Sequence, residues 1–249
     1  MKKYRYKLNI SYDGFNYQGW QKQPNKKTIQ EEIEKNLNKI CGNKNLSIEA
    51  SGRTDAGVHA KCQVAHFDIN NSLNTSSVKK SLNCLLKDDI RIISLVKVSS
   101  NFHSRFDAKS KEYRYFINNA KILSPHIRHF RHHESRPLNI QEMQNAANFF
   151  IGEHDFASFY VNPGYKINNT VREIFEFDVN KSNSSDIIIK VCGNGFLYKM
   201  VRSFAGFLID VGLGRFDSNY SHKLLNNIKR SKDVKTAPAN GLFLWKVNY

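Results

Sequence analysis

The residues whose types and spacing could do chemistry lie in one run of ten, Ser51-Gly52-Arg53-Thr54-Asp55-Ala56-Gly57-Val58-His59-Ala60. A single carboxylate, Asp55, stands two positions after a guanidinium, Arg53, and Gly52 and Gly57 bracket the pair. An aspartate can act as nucleophile or as general acid or base. The glycines let the backbone turn sharply or lie close to something. The run interrupts strand-like sequence at 46–50 and 63–69, as a loop built to present Asp55 would. Asp and Gly are also ordinary turn residues, so the same run reads as a turn that Asp55 closes.

Three further groups carry charge or rings in a suggestive order. The apolar stretch 196–211 contains Lys199 and Arg202, three apart and therefore on one face of a helix. Such a face must meet solvent, an acidic partner or a substrate phosphate, unless the stems snorkel. The run Lys109-Ser110-Lys111-Glu112-Tyr113-Arg114-Tyr115-Phe116 interleaves rings with cations. Tyr113 could stack on an unpaired base while Lys109, Lys111 and Arg114 meet phosphates. The same alternation suits a core strand with a charged outer face. His126, His129, His132 and His133 are laced with Arg128, Arg131 and Arg136, which argues for an exposed basic loop and against a dication. No metal is expected.

These groups sit on a chain of 249 residues with 38 Lys and Arg against 22 Asp and Glu, a formal charge of +16. That excess favours a polyanionic partner such as nucleic acid or an acidic membrane surface, although a drift of composition toward Lys would also raise it. The four cysteines are scattered, with no Cys-x-x-Cys pair, so neither a zinc ribbon nor a dithiol centre is indicated. No Walker loop, Rossmann fingerprint or Gly-x-Ser-x-Gly elbow occurs, which leaves ATP, NAD and flavin without a site. Residues 1–6 lead straight into a strand pattern, and no run reaches the length of a membrane span. The expectation is a reduced, cytoplasmic protein without a membrane or a nucleotide cofactor.

The elements that must position these residues follow from periodicity. Strands are expected at 4–12, 46–50, 63–69, 89–98, 111–118, 171–179, 186–191 and 241–249. Helices are expected at 29–40, capped by Thr28 and stopped by Gly42, and at 76–86, 140–151, 196–211 and 221–229. Each half reads as a strand, a helix, paired strands and a helix. The order implies an α+β fold of two similar lobes, 1–105 and 106–249, each a mostly antiparallel mixed sheet with helices on one face.

The run 51–60 resembles the signature loop of the TruA-type tRNA pseudouridine synthases. Six more segments resemble that family in family order. They are Tyr12-Asp13-Gly14-Phe15-Asn16-Tyr17-Gln18-Gly19-Trp20-Gln21, Phe102-His103-Ser104-Arg105-Phe106, Tyr113-Arg114-Tyr115, His154-Asp155-Phe156, Phe196-Leu197-Tyr198-Lys199-Met200-Val201-Arg202 and Thr236-Ala237-Pro238-Ala239-Asn240-Gly241-Leu242-Phe243-Leu244. The resemblance implies conversion of uridine to pseudouridine at positions 38, 39 and 40 of the tRNA anticodon stem-loop. It also implies no cofactor, a homodimer, and an active site in a basic cleft between two lobes. The family's catalytic aspartate falls on Asp55, its loop arginine on Arg53, its active-site tyrosine on Tyr113, and the arginine that pairs with the aspartate on Arg202. The chain departs from the family pattern at 160–168, so no RNA contact is carried over to that loop.

Pseudouridine formation breaks the C1′–N1 bond, turns the uracil and rejoins it through C5, so no atoms enter or leave. The carboxylate can attack covalently or remove a sugar proton; both routes need ionised Asp55. A water-excluding site raises a carboxyl pKa, and a guanidinium such as Arg202 opposes the rise. The target base must leave its stack. Arg53 could fill the vacated space or hold its phosphate, and Tyr113 could stack on the uracil or move the C5 proton. Lys22, Lys109, Lys111, Arg114 and Lys199 would follow the tRNA backbone. Two other readings use the same residues: a non-catalytic basic RNA-binding protein, and a metal-dependent nuclease built on the histidines.

Overall fold

The computed structural model describes residues 3–43, 45–162, 164, 169–182 and 185–249. Of the divergent loop 160–168, residues 163 and 165–168 lie outside the described residues, as do 183 and 184 of the expected turn 180–185. The chain divides into two units, Met1–Lys109 together with Phe243–Tyr249, and Ser110–Leu242. The sequence expectation set the boundary at 105/106 and ran the second lobe unbroken to 249.

In the first unit, β1 (Tyr4–Tyr12) alternates as its pattern predicts, with Tyr6, Leu8 and Ile10 fully buried. It pairs antiparallel with β3 (His59–Ile69) on one side and β4 (Ile90–Val98) on the other. Within this unit β10 (Leu242–Asn248) lies parallel to β3, Phe243 opposite His59. Helix α1 (Ile29–Cys41) starts where Thr28 accepts a hydrogen bond from the Glu31 N–H and stops at Gly42, which takes φ 61°. It buries Ile29, Ile33 and Leu37. Helix α2 (Thr75–Leu85) is capped by Asn74.

The strand expected at 46–50 is reduced to β2 (Glu49–Ala50) on β3. The reason lies in α1. Its Asn38 Oδ1 takes the Leu46 N–H at 2.8 Å and its Glu34 Oε1 takes the Ile48 N–H at 3.0 Å, the groups a longer ladder would have used. At the other end β3 begins at His59 rather than 63, so the Asp55 loop proper is residues 51–58.

The second unit holds the antiparallel order β5 (Ser110–Asn118), β9 (Asp186–Gly193), β8 (Val171–Lys181) and β7 (Gly152–Asp155), with the short β6 (His132–His133) parallel to β5. Helices α3 (Ile140–Asn148), α4 (Met200–Gly212) and α5 (Tyr220–Leu225) complete it. Phe150, Phe156, Phe159, Phe177, Phe204 and Phe207 form its buried aromatic core. The α+β class with mostly antiparallel pairing is the one the sequence implies.

Three helices differ from expectation, the one expected over 221–229 being the short α5, which ends at Leu225. The one expected over 140–151 ends at Asn148, and Gly152 at φ 104° starts β7. The one expected over 196–211 begins at Met200. Lys199 takes a left-handed φ of 59°, and the Tyr198 carbonyl accepts from the Val161 N–H at 3.2 Å instead of entering a helical ladder. Among the described residues no helix is long and apolar enough to cross a membrane.

Candidate active site

The Asp55 loop leaves β2 at Ser51 and enters β3 at His59. Its base is tied by Gln63, whose Oε1 accepts from the buried Ser51 hydroxyl at 2.7 Å and whose Nε2 donates to the Gly52 carbonyl at 2.9 Å. A turn closes across Asp55, with the Val58 N–H on its carbonyl at 3.1 Å and Gly57 at φ 76°.

A second loop, residues 13–20, clamps the first backbone to backbone. Trp20 N–H donates to the Thr54 carbonyl at 3.1 Å, and Gly57 N–H donates to the Tyr17 carbonyl at 3.2 Å. Gly14 N–H donates to His59 Nδ1 at 3.1 Å. A Cβ on Gly14 would stand 1.9 Å from the Val58 oxygen, and one on Gly19 would stand 2.6 Å from the Thr54 oxygen. No side chain fits at either position. Tyr17 and Trp20 are buried beneath the loop. The Tyr12 hydroxyl meets Thr54 Oγ1 at 2.8 Å, and its own burial pushes the phenol pKa above the ordinary range. The residues on either side of Asp55 are therefore held, while Asp55 itself is half-buried and Arg53 exposed. The clamp was missed in the sequence. Its one signal was the glycine pair at 14 and 19 inside a polar-aromatic segment.

Tyr113 and Arg202 belong to the second unit. Tyr113 is buried on β5, its ring edge-on to Phe196 at 5.2 Å. Arg202 lies in the first turn of α4 and is gripped twice by one residue. Its Nε donates to the Ala237 carbonyl at 2.8 Å, and the Ala237 N–H donates to the Arg202 carbonyl at 2.9 Å. The segment 235–237 runs along a stripe of α4 spaced by fours. At Gly206 a Cβ would stand 2.3 Å from the Lys235 oxygen. At Asp210 the buried carboxylate holds Arg215 and, at 3.5 Å, Lys235 Nζ. Arg230 staples the same segment, donating to Ser203 Oγ at 2.7 Å, Thr236 Oγ1 at 3.3 Å and the Val234 carbonyl. Near Arg202, Tyr115 is raised well above the usual phenol range by burial, with the guanidinium pulling the other way.

The remaining cations are distributed over both units. Lys22 is exposed and 3.9 Å from the buried Glu34 carboxylate. Lys109 is exposed and Lys111 half-buried. Arg114 donates to Glu112 at 2.7 Å, so part of its charge is answered within its own strand. Lys199 is not on a helix face with Arg202; it precedes α4 in the left-handed turn.

The histidines of 126–133 separate. His132 is half-buried, its pKa lowered by desolvation, and His133 Nε2 lies 2.9 Å from the Ala120 carbonyl. Among the described residues, the trio with ligand atoms close together is Glu49, His66 and His103 in the first unit. His103 Nδ1 accepts from the Arg105 and Phe106 N–H groups at 3.2 and 3.3 Å, which leaves the proton on Nε2, facing Glu49 Oε2 at 3.2 Å. A metal would need that nitrogen bare, so the trio is a hydrogen-bonded cluster.

A family model described as tRNA pseudouridine synthase matches residues 9–107 and 146–249. The tRNA pseudouridine synthase A of Ruminiclostridium cellulolyticum is 44% identical over 243 residues, covering 98% of each chain. That of Listeria welshimeri is 42% identical over 246 residues, covering 98% of this chain and 99% of its own. That of Thermoanaerobacter sp. strain X514 is 41% identical over 240 residues, covering 96% and 97%.

Proposed function

The chain belongs to the tRNA pseudouridine synthase family, and from that membership we propose that it isomerises uridine at positions 38, 39 and 40 of the anticodon stem-loop with Asp55 as its catalytic carboxylate. The observation that carries the reading is the clamp. Asp55 lies in the short stretch between Thr54 and Gly57, each fixed through its backbone by the 13–20 loop. A carboxylate that only closed a turn would not need a second loop pressed against its own at two glycines, Gly14 and Gly19. Preorganisation of this kind is what a reacting group requires, since small misplacements are costly in rate.

In this reading Asp55 acts ionised, as nucleophile at the sugar or base or as the base that takes a sugar proton. The C1′–N1 bond breaks, C1′–C5 forms, the C5 proton leaves and N1 gains one. The balance needs no cofactor or metal. Arg202, held by Ala237, is the arginine that the family resemblance pairs with Asp55. Tyr113 stacks on the turned-out uracil or carries the C5 proton. Arg53, exposed beside Asp55, fills the gap left by the base or holds its phosphate. Lys22, Lys109, Lys111, Arg114 and Lys199 meet the tRNA backbone. The homodimer and the cytoplasmic setting rest on the family resemblance.

Asp55→Asn tests the assignment. Incubated with unmodified tRNA, the variant should form no pseudouridine while binding tRNA as the parent does. Mapping the product of the parent protein along the tRNA tests the three positions. Full turnover by Asp55→Asn would refute the role of the carboxylate.

A further inference from the structure

We propose that Phe106 is a stacking platform for an unpaired nucleobase of the RNA substrate. This deepens the reading above and rests on it for the nature of the partner. Phe106 is 75% exposed. Exposure alone is unremarkable on a protein surface. What sets this ring apart is the rigidity of the segment that presents it to water.

The segment 102–107 is bonded at nearly every residue. The Phe102 carbonyl accepts from Arg5 Nη1 at 2.8 Å, and Arg5 is itself fixed by a two-pronged pair with Asp68 at 2.7 and 2.6 Å. The His103 N–H donates to Asp107 Oδ2 at 2.9 Å, and the Asp107 N–H returns to the His103 carbonyl at 3.1 Å. The Phe106 N–H donates to His103 Nδ1. The Ser104 hydroxyl donates to the Glu49 carbonyl at 2.7 Å, and the Ser104 carbonyl accepts from the Tyr249 hydroxyl at 2.7 Å.

Behind the ring the support is aromatic. The His103 imidazole lies against Phe106 with centroids 4.3 Å apart and planes at 31°. His66, buried, meets His103 edge-on at 4.7 Å. Three rings thus run from the interior to solvent, and the outermost is left open. A phenyl ring held this way leaves three-quarters of its surface in water in the isolated protein. Its face suits the π-face of a base, which any nucleotide offers once unstacked. Exposed Arg105 stands over the ring, its guanidinium 5.7 Å from the centre, and can turn out to the phosphate of a base that takes its place. A +16 chain draws in such a partner.

The platform also shares its footing with the reactive loop. His103 and Ser104 both hold Glu49, and Glu49 lies in β2, which runs directly into the Asp55 loop. Turning a nucleotide out of a stem disturbs its neighbours, and a base unstacked by that step needs a new surface.

The test is tRNA affinity across a salt series for the parent, Phe106→Ala, Phe106→Leu and Phe106→Tyr. The exposed position makes all three compatible with folding. Phe106→Ala should weaken binding about 5- to 150-fold, the range that one stacked base supplies. Phe106→Tyr should restore it and Phe106→Leu should not. The slope against log salt should not change for these variants, because a ring releases no counterions, whereas Arg105→Ala should lower it by about one. Unaltered affinity in Phe106→Ala, or full rescue by Leu, would overturn the proposal. So would a change confined to self-association, which would assign the ring to a second copy of the chain. Turnover by Asp55→Asn would refute the catalytic reading and leave these affinities standing; failure of the parent to bind tRNA would sink both.

Discussion

At the scale of single residues, the Asp55 loop was legible because its signal is local. A carboxylate, a guanidinium and two glycines fall within six positions. What holds the loop was not legible, because backbone pressed on backbone leaves no trace except the absence of side chains at Gly14 and Gly19. Nor did any periodicity mark His66, which the structure buries between Arg5, His103 and Ser104. Burial foremost, then the charges of Arg5 and His103, lower its pKa below the ordinary 6.5. Because the folded-state pKa is depressed, the neutral ring's contribution to stability is complete above about pH 6.5 and is lost as pH falls through the folded value. Thermal melts between about pH 7 and 5 should therefore show stability falling with acid. His66→Gln should flatten that dependence, leaving the share due to His132, which burial also holds down. An identical acid slope in His66→Gln would show that His66 is not the group responsible.

At the scale of elements, β1, α1 and β5 appear almost where periodicity put them, since β1 and α1 each have one buried face, α1 has explicit caps, and β5 carries a run of rings and β-branched residues. Errors came where tertiary bonds overrode the pattern. Side chains of α1 consumed the N–H groups of 46 and 48, and a left-handed Lys199 delayed α4 by a turn. The second of these bears on the role proposed for Arg202, because it makes Arg202 a first-turn residue whose side chain reaches the Ala237 carbonyl rather than a helical neighbour. The arrangement depends on Gly206, the one position of the stripe where the Lys235 carbonyl can settle. Gly206→Ala should lift the 235–237 segment, free Arg202 from Ala237 and reduce turnover by about 10- to 100-fold, while tRNA affinity stays near the parent's. Single-turnover rates and binding measured side by side would check this. A proportional loss of both would point to general damage to the unit.

At the scale of the whole molecule, the α+β class and the surplus of cations were readable from composition and order, since neither depends on which strands meet. The pairing of β10 beside β3 was not readable, because parallel partners far apart in sequence carry no turn or hairpin signal. The charge of +16 makes a prediction at this scale. If about six or more phosphates are neutralised, tRNA affinity should fall by about a thousandfold or more between roughly 50 and 200 mM salt. Filter binding across that range would decide, and a flat response would reduce the charge to compositional drift. The return of Phe243–Tyr249 to the first unit has a consequence for synthesis. A ribosome delivers the chain from its N-terminus, and domains tend to fold as they emerge. Here the unit begun first is finished last. The parallel partner of β3, the strand that follows the Asp55 loop, is translated only after every residue of the second unit, so until then the Asp55 loop stands on a sheet that lacks its last strand.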